Sequence, residues 1–177
     1  EITMKQIDFE NGTITQNIFM AAIPMLVAQV LNLLYNIVDR IYIARIPGVG
    51  TTALGAVGLC FPVIMIITAF SNLFGSGGAP LFSIERGRGN RENAGRILNT
   101  SFSMLALASI VLMLAGLIFA RPILTLFGAS ADALVYACPY LMIYLLGTFP
   151  SMIAAGMNPF INAQGSATTG MLSVALG

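Results

Sequence analysis

Long uncharged stretches, separated by short charged or glycine-rich links, are the main pattern along this chain. A transmembrane helix needs about 20 mainly apolar residues, because each residue adds about 1.5 Å along the helix axis. Uncharged stretches of at least this length cover residues 18–38, 51–84 and 97–120. They predict membrane-spanning helices at these three places.

The stretch at 51–84 is longer than one span requires. If wholly helical it would extend about 50 Å, whereas the hydrocarbon core of a bilayer is about 30 Å thick. We therefore expect this helix to break or to protrude, and the glycine cluster at 75–80 is the natural position for a break.

Residues 133–177 carry no charge and are again too many for one span. The simplest division begins a fourth helix at about Leu134, bent or interrupted by Pro139, Pro150 and Pro159. A turn at 163–166 then precedes the opening of a fifth helix. The pattern predicts an all-α, polytopic transmembrane helical bundle of about four complete helices plus the start of a fifth.

Composition agrees with a membrane protein. Hydrophobic residues make up 57% of the chain and charged residues 8%, whereas about a quarter of the residues of a soluble domain are charged. The net charge of +1 gives no basic field that would attract nucleic acid. The expected partner is therefore the lipid bilayer, and we expect no nucleic acid.

Histidine is absent, and Cys60 and Cys138 lie in apolar runs without metal-ligand spacing. We expect neither a cofactor nor a disulfide. The glycines around Ser76 lack the Lys-Ser/Thr of a phosphate loop, and a Ser76 nucleophile would lack the usual histidine base. These residues do not favour an enzyme.

The basic residues indicate an orientation. Lys5 and the four arginines of the link at 85–96 fall on one predicted side, and Arg45 and Arg121 fall on the other. The positive-inside rule places a segment at 1–17 and the 85–96 link in the cytoplasm, with a transmembrane region over 18–177. We expect a multi-pass protein of the cell inner or plasma membrane. The chain starts at Glu1 and ends inside an apolar run, so we also expect a longer parent.

The first predicted helix carries a polar stripe, which we define as Gln29, Asn32, Tyr35, Asn36 and Asp39. At 100° per residue these side chains fall within an arc of about 120°. Polar groups in hydrocarbon must be satisfied internally, so this face is expected to look at other helices or at a water-filled cavity.

Asp39 is the candidate functional residue of the stripe. A carboxylate within a membrane can hold a cation, carry a proton, or do each in turn, and amide and phenol neighbours offer oxygens for sodium or hydrogen bonds for a substrate. The structural alternative is an interfacial aspartate that pairs with Arg40 or Arg45. The five-residue stripe favours the functional interpretation.

Five stretches together carry a family resemblance: an early Pro24, "LYNIVD", "GVGTTALGAVGL", "GSGGAPLFSIERGRGN" and "NPFINAQGSATTG". In this order and spacing they resemble the N-terminal half of multidrug and toxic compound extrusion (MATE) transporters. The resemblance implies two similar helical lobes that export cationic or amphipathic organic compounds in exchange for protons or sodium. It implies that Asp39 is the family's helix-one aspartate, that Tyr35 contributes to its site, and that a C-terminal lobe completes the parent.

The sequence therefore predicts an antiporter in which Asp39 binds a proton or sodium, assisted by Tyr35, Asn36 and Asn32, with Pro24 as a hinge. A flippase of lipid-linked oligosaccharides is one alternative, although no lysine or arginine lies within spans two to four to hold a pyrophosphate. A non-transporting helical membrane subunit is the other.

Two further features are expected to be structural. The arginine-rich link could bind anionic lipid headgroups, but we interpret it mainly as a determinant of topology. Asn158 and Asn162 could line a gate, and we interpret them instead as helix caps.

Overall fold

The computed structural model describes residues 13–176, and six α-helices account for nearly all of them. The predicted cytoplasmic segment at 1–17 lies mostly outside the described residues, with Lys5. In chain order the helices are α1 (Ile14–Ala44), α2 (Gly50–Gly87), α3 (Arg91–Leu126), α4 (Ala131–Leu146), α5 (Thr148–Ala163) and α6 (Ala167–Leu176).

Within residues 13–176, α1, α2 and α3 are each long and apolar enough to cross a membrane. The shorter helices α4 and α5 pass the same test as a pair, with a bend of 56° between them. They form one bent span, and α6 is the opening of the next. The predicted all-α transmembrane bundle is confirmed, as is the division into four spans and the start of a fifth.

Helix α2 decides between the two expected outcomes, because it runs unbroken for 38 residues through the glycine cluster where a break was considered. It protrudes instead, since its length of about 57 Å exceeds the thickness of the hydrocarbon core. The cluster serves packing. A Cβ on Gly75 would collide with the carbonyl oxygen of Gly156 in α5, so glycine at this crossing lets the two backbones touch.

The core lies around α2, which packs against α3, α4 and α5. Its fully buried side chains include Cys60, Leu124, Leu141, Leu145 and Met152. Hydrogen bonds also tie α2 to its neighbours: Ser71 Oγ donates to the Met152 carbonyl at 3.4 Å, and Cys60 Sγ donates to the Ala137 carbonyl at 3.7 Å. At the other end, Asn93 Nδ2 of α3 donates to Glu85 Oε2 at 3.4 Å.

The fourth span bends at Gly147, between α4 and α5. Pro150 explains the position, because proline has no N–H for the carbonyl four residues earlier, that of Leu146, and its ring crowds that carbonyl. Pro139 and Pro159 lie inside α4 and α5 without ending them. Of the three prolines expected to interrupt this span, only Pro150 stands at the break.

The charged link predicted over 85–96 is narrower than expected, since only residues 88–90 lie outside the flanking helices. Gly89 turns the chain with a φ of 77°. The Asn90 side chain then caps α3 by accepting a hydrogen bond from the Asn93 amide at 3.1 Å. The good cap allows the helix to begin within the charged residues.

Candidate functional site

The polar stripe lies along one side of α1, and all five of its side chains are exposed. Asn36 Nδ2 donates to the Asn32 backbone oxygen at 2.8 Å and to Asn32 Oδ1 at 3.2 Å. This pair links neighbouring turns of the helix. Because α1 buries none of its described residues, the stripe is open to whatever lies beside this chain.

Helix α1 packs mainly along α6 and touches α2. The Arg40 guanidinium lies over the Phe61 ring of α2, 5.5 Å from the ring centroid, which is within the range of a cation–π contact. Between residues 13 and 176 the ion pairs are Arg88–Glu85 and Arg96–Glu92. The alternative in which Asp39 pairs with Arg40 is therefore not what the structure contains.

Asp39 instead lies within electrostatic range of the Tyr140 hydroxyl in α4, as do Arg40 and Cys60. The C-terminal part of α1 thus packs against α2 and is within electrostatic range of α4, without extensive packing against that helix. Beside Arg40 is a depression of about 490 Å³, lined also by Leu54, Val57, Gly58 and Phe61. We call Asp39, Arg40, Phe61 and Tyr140 the α1–α2–α4 site.

The positions of its aromatic members place this site within the spans. Phe61 lies about 16 Å from the first residue of α2, and Tyr140 lies about 14 Å from the first residue of α4. Asp39 itself lies five residues, about 8 Å, before the last residue of α1. If it lies within the hydrocarbon region, its carboxylate needs polar or aqueous surroundings, because hydrocarbon offers it none.

Sequence reasoning missed Phe61 and Tyr140 as members of the site. A usable signal was present for Tyr140, because Tyr136, Tyr140 and Tyr144 recur every four residues and so share one face of α4. Phe61 stands in an ordinary apolar run that gives no such signal. The predicted hinge, Pro24, lies inside a continuous α1, and its role as a hinge stays a prediction.

The prediction that Asn158 and Asn162 cap helices is wrong. Both lie within α5, and Asn158 forms hydrogen bonds to α6: its Nδ2 donates to the Gly170 carbonyl at 2.9 Å and to Ser173 Oγ at 3.1 Å. Asn162 Nδ2 donates to Asn158 Oδ1 at 3.0 Å. The network fastens the end of the fourth span to the start of the fifth.

No group of three or more histidine, cysteine, aspartate or glutamate side chains occurs in the described part of the chain. A cation held by this part at Asp39 would therefore meet one carboxylate and otherwise neutral oxygens. Such a site suits a proton or a singly charged hard cation better than a transition metal.

Long apolar helices with a polar stripe at membrane depth define a multi-pass membrane protein of the transporter class. A family model described as MatE matches residues 24–177. The chain therefore belongs to the MATE family, whose members are transporters rather than enzymes, and the resemblance predicted from its motifs is confirmed.

Two relatives illustrate the match. The chain is 24% identical over 166 residues to the multidrug export protein MepA of Staphylococcus haemolyticus, covering 94% of this chain and 36% of MepA. It is 28% identical over 136 residues to the probable multidrug resistance protein YoeA of Bacillus subtilis, covering 71% of this chain and 29% of YoeA. The chain spans about a third of the length of these relatives.

The fold matches a solved structure described as an outward-facing conformation of a multidrug resistance MATE family transporter. The TM-score is 0.87 at 26% sequence identity, and the match covers 99% of this chain and 38% of the other. The described helices thus correspond to part of a larger transporter.

Proposed function

We propose that this chain is the first lobe of an antiporter that exports cationic or amphipathic organic compounds in exchange for protons or sodium. The observation that carries the proposal is the position of Asp39. Its carboxylate has no ion-pair partner among the described residues and lies near Tyr140, at the end of the stripe of amide and phenol side chains.

The coupling would arise from competition for one negative charge. With Asp39 ionised, a bound organic cation gains a counter-charge close to apolar walls, where electrostatic attraction is weakly screened. When a proton or sodium ion occupies the carboxylate, that attraction is lost and the organic cation is released. The ion and the substrate therefore exclude each other, which is the requirement for exchange.

The rest of the stripe would receive the ion and the substrate. Asn32 and Asn36 provide amide oxygens and Tyr35 provides a phenol, groups that can coordinate sodium or form hydrogen bonds. Gln29 extends the stripe by one turn. Bending of α1 at Pro24 would transmit the neutralisation of Asp39 to the packing of the lobe.

Arg40 would keep the carboxylate available. Its guanidinium lies over the Phe61 ring, and a cation–π contact there is worth about 1 kcal/mol or more when partly desolvated. Because the guanidinium lies over this ring, it forms no ion pair with its neighbour Asp39 in the described structure. The positive charge would also lower the affinity of the site for substrates with more than one positive charge.

The proposal includes an orientation in the membrane. We place the N-terminus and the α2–α3 turn in the cytoplasm, by the positive-inside rule, in the inner or plasma membrane. The remaining lobe of the parent would close the cavity over the exposed side of α1.

The test is Asp39→Asn in the full-length protein, reconstituted in vesicles with an imposed pH or sodium gradient. Removing the charge should reduce gradient-driven efflux of a fluorescent organic cation by about 100-fold, since an essential carboxylate has no substitute on this stripe. Asp132→Asn, which removes an exposed acid from the first turn of α4, should retain efflux.

Comparing the two gradients identifies the coupling ion. Gradient-driven efflux at the same rate in the Asp39→Asn protein as in the unmodified protein would contradict the proposal. Translocation of a lipid-linked oligosaccharide without drug efflux would assign the protein to the flippase alternative.

A further inference from the structure

A groove between α2 and α3 runs from their connecting turn into the membrane-spanning region. At the turn it is a depression of about 410 Å³ whose polar lining is Glu85, Arg88, Asn93 and Arg96. Toward the bilayer it continues as a depression of about 420 Å³ lined by apolar and small residues. Leu81, Arg96 and Ile97 line both, so the two depressions are one continuous groove.

The length of the groove matches one leaflet. From Leu73 to Glu85 the α2 wall extends about 18 Å, and half of the hydrocarbon core is about 15 Å. The apolar side chains along this wall are exposed, Leu73 by 62% and Leu81 by 56%. The groove thus has the dimensions and lining of a site for one acyl chain.

Gly77 keeps the groove open. A Cβ placed on it would have no atom within 4 Å, whereas a Cβ on the adjacent Gly78 would collide with Ser101 and Phe160. Gly78 therefore serves the packing of the helices. Gly77 faces empty space, in a depression that a larger side chain would fill without disturbing the fold.

The mouth of the groove is positively charged. Arg88 pairs with Glu85 at 2.8 Å and Arg96 pairs with Glu92 at 2.7 Å, yet both arginine side chains are more than two-thirds exposed. Arg86 and Arg91 add two charges that no carboxylate of the described residues pairs. Four arginines against two glutamates leave an excess of two positive charges at 85–96.

We propose that this groove binds one anionic glycerophospholipid of the adjoining leaflet. Its phosphate would lie between Arg88 and Arg96. A further donor would be the second N–H of the Asn93 side-chain amide, which already donates one hydrogen bond to Glu85 Oε2 at 3.4 Å. One acyl chain would follow the wall from Ile84 to Leu73. Arginine suits this role because its planar fork matches phosphate oxygens and its stem can cover apolar surface. The proposal is independent of the transport mechanism and of Asp39.

The test uses the full-length protein in nanodiscs of equal parts phosphatidylglycerol and phosphatidylcholine, with the lipids retained after release counted by native mass spectrometry. The unmodified protein should retain one phosphatidylglycerol in preference to phosphatidylcholine. In the Arg88→Gln/Arg96→Gln variant this retention should fall about tenfold or more. Each arginine near an anionic membrane surface strengthens binding by about fivefold, and the variant removes two.

Two further variants separate a built site from general charge. Arg86→Gln/Arg91→Gln removes the same charge from residues that do not line the groove, and retention should stay within about twofold. Gly77→Phe keeps every charge but fills the acyl-chain site, and it should lose the bound lipid while melting at an unchanged temperature. Equal losses of phosphatidylglycerol in the two double-arginine variants, or full retention of the lipid in Gly77→Phe, would overturn the proposal.

Discussion

At the scale of single residues, Gly75 and Gly156 set the distance between α2 and α5. The Gly75 Cβ position lies against the Gly156 backbone, and the Gly156 Cβ position lies against the Leu105 side chain. A backbone atom cannot rotate away as a side chain can. Gly75 therefore resists substitution for a steric reason, and a substitution of Gly156 would have to displace the buried Leu105 side chain. The sequence alone does not reveal this pairing.

Gly75→Ala should destabilise the full-length protein by about 1–3 kcal/mol, because overpacking at the crossing outweighs the gain of about 1 kcal/mol in helix propensity. The measurement is thermal unfolding in detergent. Gly55→Ala in the same helix is the control, since nothing lies within 4 Å of its Cβ position, and it should be neutral or stabilising. Equal melting temperatures for the two variants would show that α2 and α5 can separate at no cost.

The hydrogen bonds of the α5 asparagines depend on a second helix and could not be predicted from the residues alone. Asparagine is a common helix cap, and only the position of α6 reveals that Asn158 instead bridges two helices while Asn162 supports it from within α5. Gly170 completes the arrangement, since a Cβ there would collide with Asn162 Oδ1. That oxygen is buried and has no hydrogen-bond partner among the residues that the structure describes. Partners supplied by another helix cannot be derived from local spacing.

At the scale of helices, apolar length predicted the spans but not their continuity. Charge-free runs located α1, α2 and α3, because hydrocarbon excludes charge and enforces helix. The same reasoning placed a break at the glycines of α2, where the helix is continuous, and treated three prolines of the fourth span alike. Glycine permits a break only where packing does not hold the helix, and at Gly75 the packing partner is Gly156.

The 56° bend of the fourth span should depend on Pro150. Pro150→Ala restores the N–H for the Leu146 carbonyl and removes the ring clash, so the two helices should straighten. Because each is about 24 Å long, full straightening would lengthen the span by about 6 Å.

The distance between spin labels at Asp132→Cys and Gln164→Cys, measured in a background without other cysteines, would report this change. Pro159→Ala is the matched control, since Pro159 lies inside α5 and the distance should not move. An unchanged distance in Pro150→Ala would assign the bend to packing around Thr148 and Met152.

At the scale of the whole molecule, the outermost helix carries the candidate chemistry. Helix α2 buries ten of its described residues and α1 buries none. The sequence located the polar stripe on α1 because helical periodicity depends on one helix only. It did not reveal the contact of Arg40 with Phe61 of α2 or the electrostatic proximity of Asp39 to Tyr140 of α4, since these depend on how three helices assemble. The chain covers about a third of the length of the relatives described above. The exposed face of α1 is where we expect the remaining protein to pack.

If the polar stripe lines an aqueous chamber in the full-length protein, its positions should react with a water-soluble, membrane-impermeant thiol reagent. Asn36→Cys should react at least about tenfold faster than Leu34→Cys on the opposite side of α1, because thiolates form in water and not in hydrocarbon. Both residues are exposed in this chain, so its own packing does not produce the difference. A transported organic cation should slow labelling of Asn36→Cys and leave Leu34→Cys unchanged. Equal rates at the two positions would place the stripe in lipid or in a dry interface, and Asp39 could not then exchange ions with water.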